Sequence, residues 1–200
     1  MSVESHLLTR NDLWSLEEYS ERRADFRGEV LAHKQSRRVL LGPNILLVFE
    51  NRLTIRYQIQ EMLRIEKVFE SAGIQEELDA YNPLMPDGDN WKCTMLIQYP
   101  DVAERRQKLQ QLRGVEHKVW VRIGDAAEAT TFAIADEDLE RSNEDKTSAV
   151  HFLRFQLTDQ LINAVKEGAS IIFGIDHPQY VNEQEAVSES IRASLMGDLS

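Results

Sequence analysis

The chain has 200 residues, 42% hydrophobic and 8% aromatic, enough for one domain with a real core. Its net charge is −11, from 34 acidic and 23 basic residues. The bases are interspersed with acids, which argues against duplex nucleic acid or an anionic membrane as the main partner. The single cysteine, Cys93, leaves no intrachain disulfide and no cysteine-rich metal site. With no charged-then-apolar leader and no run approaching ~20 apolar residues, a cytoplasmic protein is expected.

Residues 1–42 read as an N-terminal helical arm. Asn11 or Asp12 is placed to cap a helix running to Ser36, and Glu18 and Arg22 stand four apart on its solvated face. Through Arg38 there are seven acids and seven bases, so the arm is neutral and the rest carries the negative charge. Such an arm either packs along the domain or reaches a second subunit, and a homodimer is expected.

Residues 43–200 read as a single α+β domain. Gly42-Pro43-Asn44 is a break, with Pro43 suited to the first position of a helix. The apolar cluster Ile45–Phe49 then leads into one long central helix through Glu66, with Gly73 closing it. At about 100° per residue, Ile45, Val48, Ile55, Ile59, Met62 and Leu63 share one side. Glu50, Thr54, Tyr57 and Glu61 line the other, flanked by Leu47, Ile65 and Val68. A helix so covered on both faces makes Glu50 and Glu61 candidates for partly buried carboxylates.

Beyond it, the pattern predicts a short acidic helix over 74–81 and a turn-rich loop over 82–90. A strand follows over 91–99, then a helix over 102–112 capped by Asp101 and closed by Gly114. Strands 119–123 and 129–135 pair across Gly124-Asp125, and residues 136–145 form an acidic loop. A strand over 150–157, a helix over 158–167, a strand over 170–176 and a tail helix from Asn182 complete the chain. The resulting fold is α+β: a mixed or mainly antiparallel sheet of about five strands packed against a long central helix.

No phosphate-binding glycine loop, dinucleotide fingerprint, zinc-protease helix or nucleophile elbow occurs. Cys93 lies in an apolar run and reads as a buried strand thiol. His151 alternates with Leu153, Phe155 and Leu157, so it faces the core and needs a hydrogen-bond partner. His177, in Asp176-His177-Pro178, sits past a strand end, where Asp176 either forms a turn or holds the imidazole. His6, His33 and His117 read as surface residues. If the strands bring His151 and His177 together, with Glu50 or Glu61 of the central helix facing them, the set suits a divalent metal. The same residues equally suit structural ion pairs among Glu61, Arg64 and Arg154. The candidate polar site is therefore Glu50, Tyr57, Glu61, Arg64, His151, Arg154, Asp176 and His177, with His151, His177 and Glu61 as possible metal ligands; no cofactor is required.

Several stretches resemble an uncharacterised bacterial family of about this length, classed as a domain of unknown function. They are Gly42-Pro43 with Phe49-Glu50-Asn51, Tyr57 to Met62, Tyr81-Asn82 with Pro86, Lys146-Thr147-Ser148 leading to His151–Phe155, and Asp176-His177-Pro178. The resemblance implies a cytoplasmic companion of rubrerythrin-like and iron–sulfur redox proteins, and with it a role in redox or peroxide physiology. The chain lacks the Glu-x-x-His pairs of a rubrerythrin-type di-iron bundle. The expected function is a non-catalytic accessory protein that binds a redox partner through the central helix or the acidic loop. The alternative is a small metal-binding protein or enzyme with a His/carboxylate site.

Overall fold

A computed structural model describes residues 7–126, 129–137, 141–143 and 145–200. Its second strand corrects the reading of the central helix. Ile45–Phe49 is a strand, β2, and the helix, α2, is Arg52–Glu66. Five β-branched and large apolar residues, nearly all buried, suit a strand covered on both faces. A short apolar run of this kind cannot be separated from a buried helix by period alone. Gly42-Pro43-Asn44 accordingly turns a hairpin between β2 and Arg38–Leu41, β1, and Pro43 does not open a helix. Gly42 takes φ +62° there, and a Cβ would come within 2.6 Å of the Tyr180 hydroxyl.

Helix α2 begins at Asn51, whose side chain accepts from the Thr54 N–H while Thr54 returns a bond to the Asn51 backbone. It ends on Lys67 at φ 57°, and Gly73 lies inside the next helix, α3 (Ser71–Tyr81). In the N-terminal arm, Ser15 rather than Asn11 or Asp12 caps α1 (Leu16–Gln35). Asp12 closes a preceding 3-10 turn by accepting from Thr9. Of the two placements expected for the arm, its described residues pack along the domain. Tyr19, Phe26 and Val30 of α1 are buried with Trp14, Leu53 and Tyr57, and β1 belongs to a sheet.

Two antiparallel sheets, rather than one, organise the rest. The larger runs β1-β2-β3-β7-β6, with β3 Asn90–Ile97, β6 Ile134–Ala135 and β7 Val150–Gln156. The smaller runs β5-β4-β8-β9, with β4 Val119–Ile123, β5 Thr130–Phe132, β8 Ile171–His177 and β9 Tyr180–Glu183. The segment expected as one strand over 129–135 is thus divided at Ala133 between the sheets. The tail expected to be helical from Asn182 first completes β9, and its helix, α6, is Glu189–Met196. Helices α4 (Val102–Gln111), capped by Asp101, and α5 (Asp159–Lys166), capped by Thr158, fall as expected.

The main core lies where the sheets face each other. Phe173 of β8 meets Phe49 of β2 at 5.1 Å and Phe155 of β7 at 5.5 Å between ring centres. Helices α4, α5 and α6 add Leu109, Ile162, Val165 and Leu195 to this core. Helices α2 and α3 build a second core around Ile55, Ile59, Leu63 and Leu78. A buried arginine joins the C-terminus to the start of the helical layer. Arg37 donates to the carbonyls of Phe49, Glu50 and Ser194 and to Asp198 at 2.5 Å.

Candidate functional site

Strand alternation sends His151, Leu153 and Phe155 of β7 into the protein and Phe152, Arg154 and Gln156 to the opposite face. The candidate residues therefore divide into separate environments.

His151 is fully buried. Its Nδ1 lies 2.6 Å from Asp136 Oδ2, and its Nε2 lies 2.8 Å from Thr147 Oγ1 and 3.1 Å from the Ser148 carbonyl. Asp136 reaches it from a left-handed backbone, φ 51°, which aspartate tolerates better than most residues. Behind Thr147, the Glu116 carboxylate accepts from Ser142 at 2.5 Å and from Thr147 at 3.1 Å. Burial alone would raise the Glu116 carboxyl; hydrogen bonds from Ser142, its own backbone and Thr147, together with the charge of His151, hold it below its ordinary value. Carboxylate, imidazole and hydroxyl stand in the order of a nucleophilic triad. Thr147 is nevertheless only 1% exposed and His151 is sealed beside it, so no substrate reaches the hydroxyl.

Glu116, Asp136 and His151 are also the single group of three metal-ligand side chains among the described residues, with ligand atoms within 4.8 Å of one another. This differs from the expected trio of His151, His177 and Glu61. The imidazole and both carboxylates are already hydrogen-bonded to one another or to hydroxyls, so the network is complete as it stands.

His177 ends β8 elsewhere. Its Nε2 donates to the Arg113 carbonyl at 3.1 Å and its Nδ1 accepts from the Gln179 N–H at 3.2 Å, while Asp176 is exposed and does not hold the ring. Tyr57 and Glu61 of α2 meet α1, not the strand histidines. Arg23 grips Glu61 through two bonds at 2.7 and 2.9 Å and Tyr19 adds a third at 2.6 Å. These bonds, Arg23 first, hold the Glu61 carboxyl below its ordinary value. Arg64 is exposed. His117 is exposed as expected, but His33 is half-buried against Asn51, and burial followed by the charge of Arg37 pushes its pKa down. His6 lies outside the described residues.

Glu50 and Arg154 do share a space. A cavity of about 550 Å³ opens over the outer face of β3 and β7, within the range of small-molecule sites. Phe152, Arg154 and Lys92 line it from the strands, and Pro83 and Leu84 from the 3-10 turn Asn82–Leu84. Lys92 and Arg154 are directly opposite on neighbouring strands, a like-charge pairing that is unfavourable unless neutralised. Glu137 neutralises Arg154 through two bonds of 2.7 Å, and Asp87 lies 3.5 Å from Lys92. Arg154 keeps the Glu137 carboxyl low. At Asp87 the upward push of burial is outweighed by Asn90 and Lys92.

Glu50 stands apart. It is 3% exposed, and among the described residues its carboxylate accepts from two hydroxyls alone, Thr54 at 2.6 Å and Thr94 at 2.8 Å. Cys93 borders the cavity as a 1% exposed thiol, pushed well up by burial and then by the charge of Glu50. A thiol so placed is neither a nucleophile nor a redox centre.

A family model described as "Protein of unknown function (DUF3501)" matches residues 7–199. The chain belongs to that family. A crystal structure of a novel protein of unknown function from Burkholderia pseudomallei K96243 resembles this DUF3501 protein with a TM-score of 0.91 and 49% identity, over 96% of this chain and 99% of that one. No match is found among curated proteins. Of the residues bordering the cavity, Glu50, Phe152, Leu153 and Arg154 fall in stretches on which the family resemblance rests. Glu116, Asp136, Lys92 and Glu137 are not marked as site residues by the sequence, because their roles depend on which strands adjoin. The alternation of β7, which separates His151 from Arg154, was the one signal available.

Proposed function

We propose that this protein is a non-catalytic binding protein whose ligand site is the cavity over β3 and β7. The observation that carries this reading is the division of polar groups. The set with the arrangement for chemistry, Asp136–His151–Thr147 with Glu116, is sealed and mutually satisfied, whereas charged groups border an open cavity on the other face. An accessory role in redox or peroxide physiology, with a redox protein as partner, is supported by the family resemblance. The exposed Ile65 and Phe69 offer apolar surface that a second copy would cover in a homodimer.

Thermal-shift screening of a fragment library tests the site, comparing the wild type with Gln156→Trp. An indole at this strand position fills the cavity without burying a new charge. Hits that stabilise the wild type and lose their effect in Gln156→Trp are expected; hits unaffected by it place binding elsewhere. Sedimentation velocity at micromolar concentration tests the dimer, and a monomer there removes it. Affinity capture from the native cytoplasm tests the partner, with reproducible recovery of a redox protein expected and its absence counting against that role.

A further inference from the structure

Among the described residues, six charged side chains border the cavity: four carboxylates, Glu50, Asp87, Asp89 and Glu137, against two cations, Lys92 and Arg154. Each cation is already engaged by an acid, Lys92 by Asp87 and Arg154 by Glu137. An incoming anion would have to displace one of those carboxylates. The excess is negative, and its buried part is Glu50. The next residue, Asn51, caps α2, so the positive end of that helix and two hydroxyls stabilise the carboxylate. These are dipoles, and a charge removed from water is costly without a counter-charge beside it. A second group in the wall is also incomplete: Asn90 is 2% exposed, and its Oδ1 has no hydrogen-bond donor although its Nδ2 serves Asp87 and Asp89. Turning the amide over would set oxygen against two carboxylates, so the oxygen is the atom that lacks a partner.

We propose that the cavity takes a small organic cation, with its positively charged nitrogen against Glu50 and its apolar body against Phe152 and Leu84. A bare metal ion fits less well. Three converging ligand atoms occur among the described residues only at Glu116, Asp136 and His151, and Pro83, Leu84, Phe152 and Leu153 give the cavity an apolar wall. The inference rests on the binding reading above and adds the sign and class of the ligand.

The test is calorimetric titration of the full chain with benzylamine, benzyl alcohol, benzoate and magnesium chloride. Benzylamine is expected to bind most tightly. Glu50→Gln keeps the shape, with its oxygen accepting from one threonine and its amide donating to the other hydroxyl, and should weaken benzylamine about tenfold to a hundredfold, the worth of a charge-assisted hydrogen bond. Should Glu50→Gln fail to fold, Gln156→Trp leaves Glu50 in place, blocks the space and should abolish benzylamine binding. Equal or tighter binding of benzoate, preference for magnesium, or unchanged benzylamine affinity in the variant that folds overturns the proposal. Benzoate or benzyl alcohol binding at least as tight as that of benzylamine, and abolished by Gln156→Trp, would sink the cation and leave the binding site standing. No binding by any probe, with no fragment hits, would sink both.

Discussion

Replacing Arg37 by methionine removes a guanidinium that donates to the carbonyls of Phe49, Glu50 and Ser194 and to the Asp198 carboxylate. Arg37 is 1% exposed and the Asp198 side chain 8%, so water cannot replace the lost donors. Leaving one member of a buried ion pair alone costs about 3–5 kcal/mol. For a chain of this size that lowers Tm by about 6–20 °C. The loss also depends on pH. Burial raises the Asp198 carboxyl even though Arg37 opposes it, and the variant removes the opposition. A carboxyl raised in the folded state favours the fold below its unfolded value, about 3.9, and loses that contribution as pH rises through the folded value. The gap in Tm between Arg37→Met and wild type should therefore be wide at pH 7.5 and narrow near pH 4. Scanning calorimetry across that range checks it, and Asp198→Asn added to Arg37→Met should recover part of the loss. A gap under about 2 °C, well below the expected range, or one that does not change with pH, would refute the reasoning.

His151→Ala leaves Asp136 and Thr147 without their partner and should cost about 3 kcal/mol in urea unfolding while leaving bound metal, measured by elemental analysis, unchanged. Full stability together with loss of a stoichiometric metal would make that network a metal centre. Gly174→Ala sets a methyl into the Trp120 ring and should destabilise by about 1–3 kcal/mol in the same assay. Glu61→Gln should lower Tm at pH 7 and approach wild type in acid, because a carboxyl held low contributes above its unfolded value and loses that contribution as pH falls. Cys93 should resist a thiol reagent in the native protein and react once unfolded; rapid native labelling would contradict its burial.

Much of the fold was legible where the local signal was strong. Asp101 and Thr158 cap the expected helices, and alternation placed β3, β4, β7 and β8 nearly to the residue. The run Ile45–Phe49 was not legible, since five consecutive apolar residues, four of them buried, carry neither a helical nor a strand period. Lost with it was the true position of Glu50, which precedes α2 and faces Thr94 of β3 rather than lying on the stripe with Tyr57 and Glu61. Similarly, the expected meeting of His151 with His177 required one sheet, whereas β7 and β8 belong to two. The burial of His151 and its need for a partner were readable; that the partner is Asp136, fifteen residues earlier, follows from a left-handed turn that no motif announces.

The most direct test of the central claim is an amide chemical-shift map of the folded protein titrated with its best fragment hits. Shifts are expected to concentrate at Glu50, Lys92, Phe152 and Arg154, around the cavity, with Thr147 and His151 unmoved. Shifts centred on Thr147 and His151, or scattered over the surface away from β3 and β7, would contradict it.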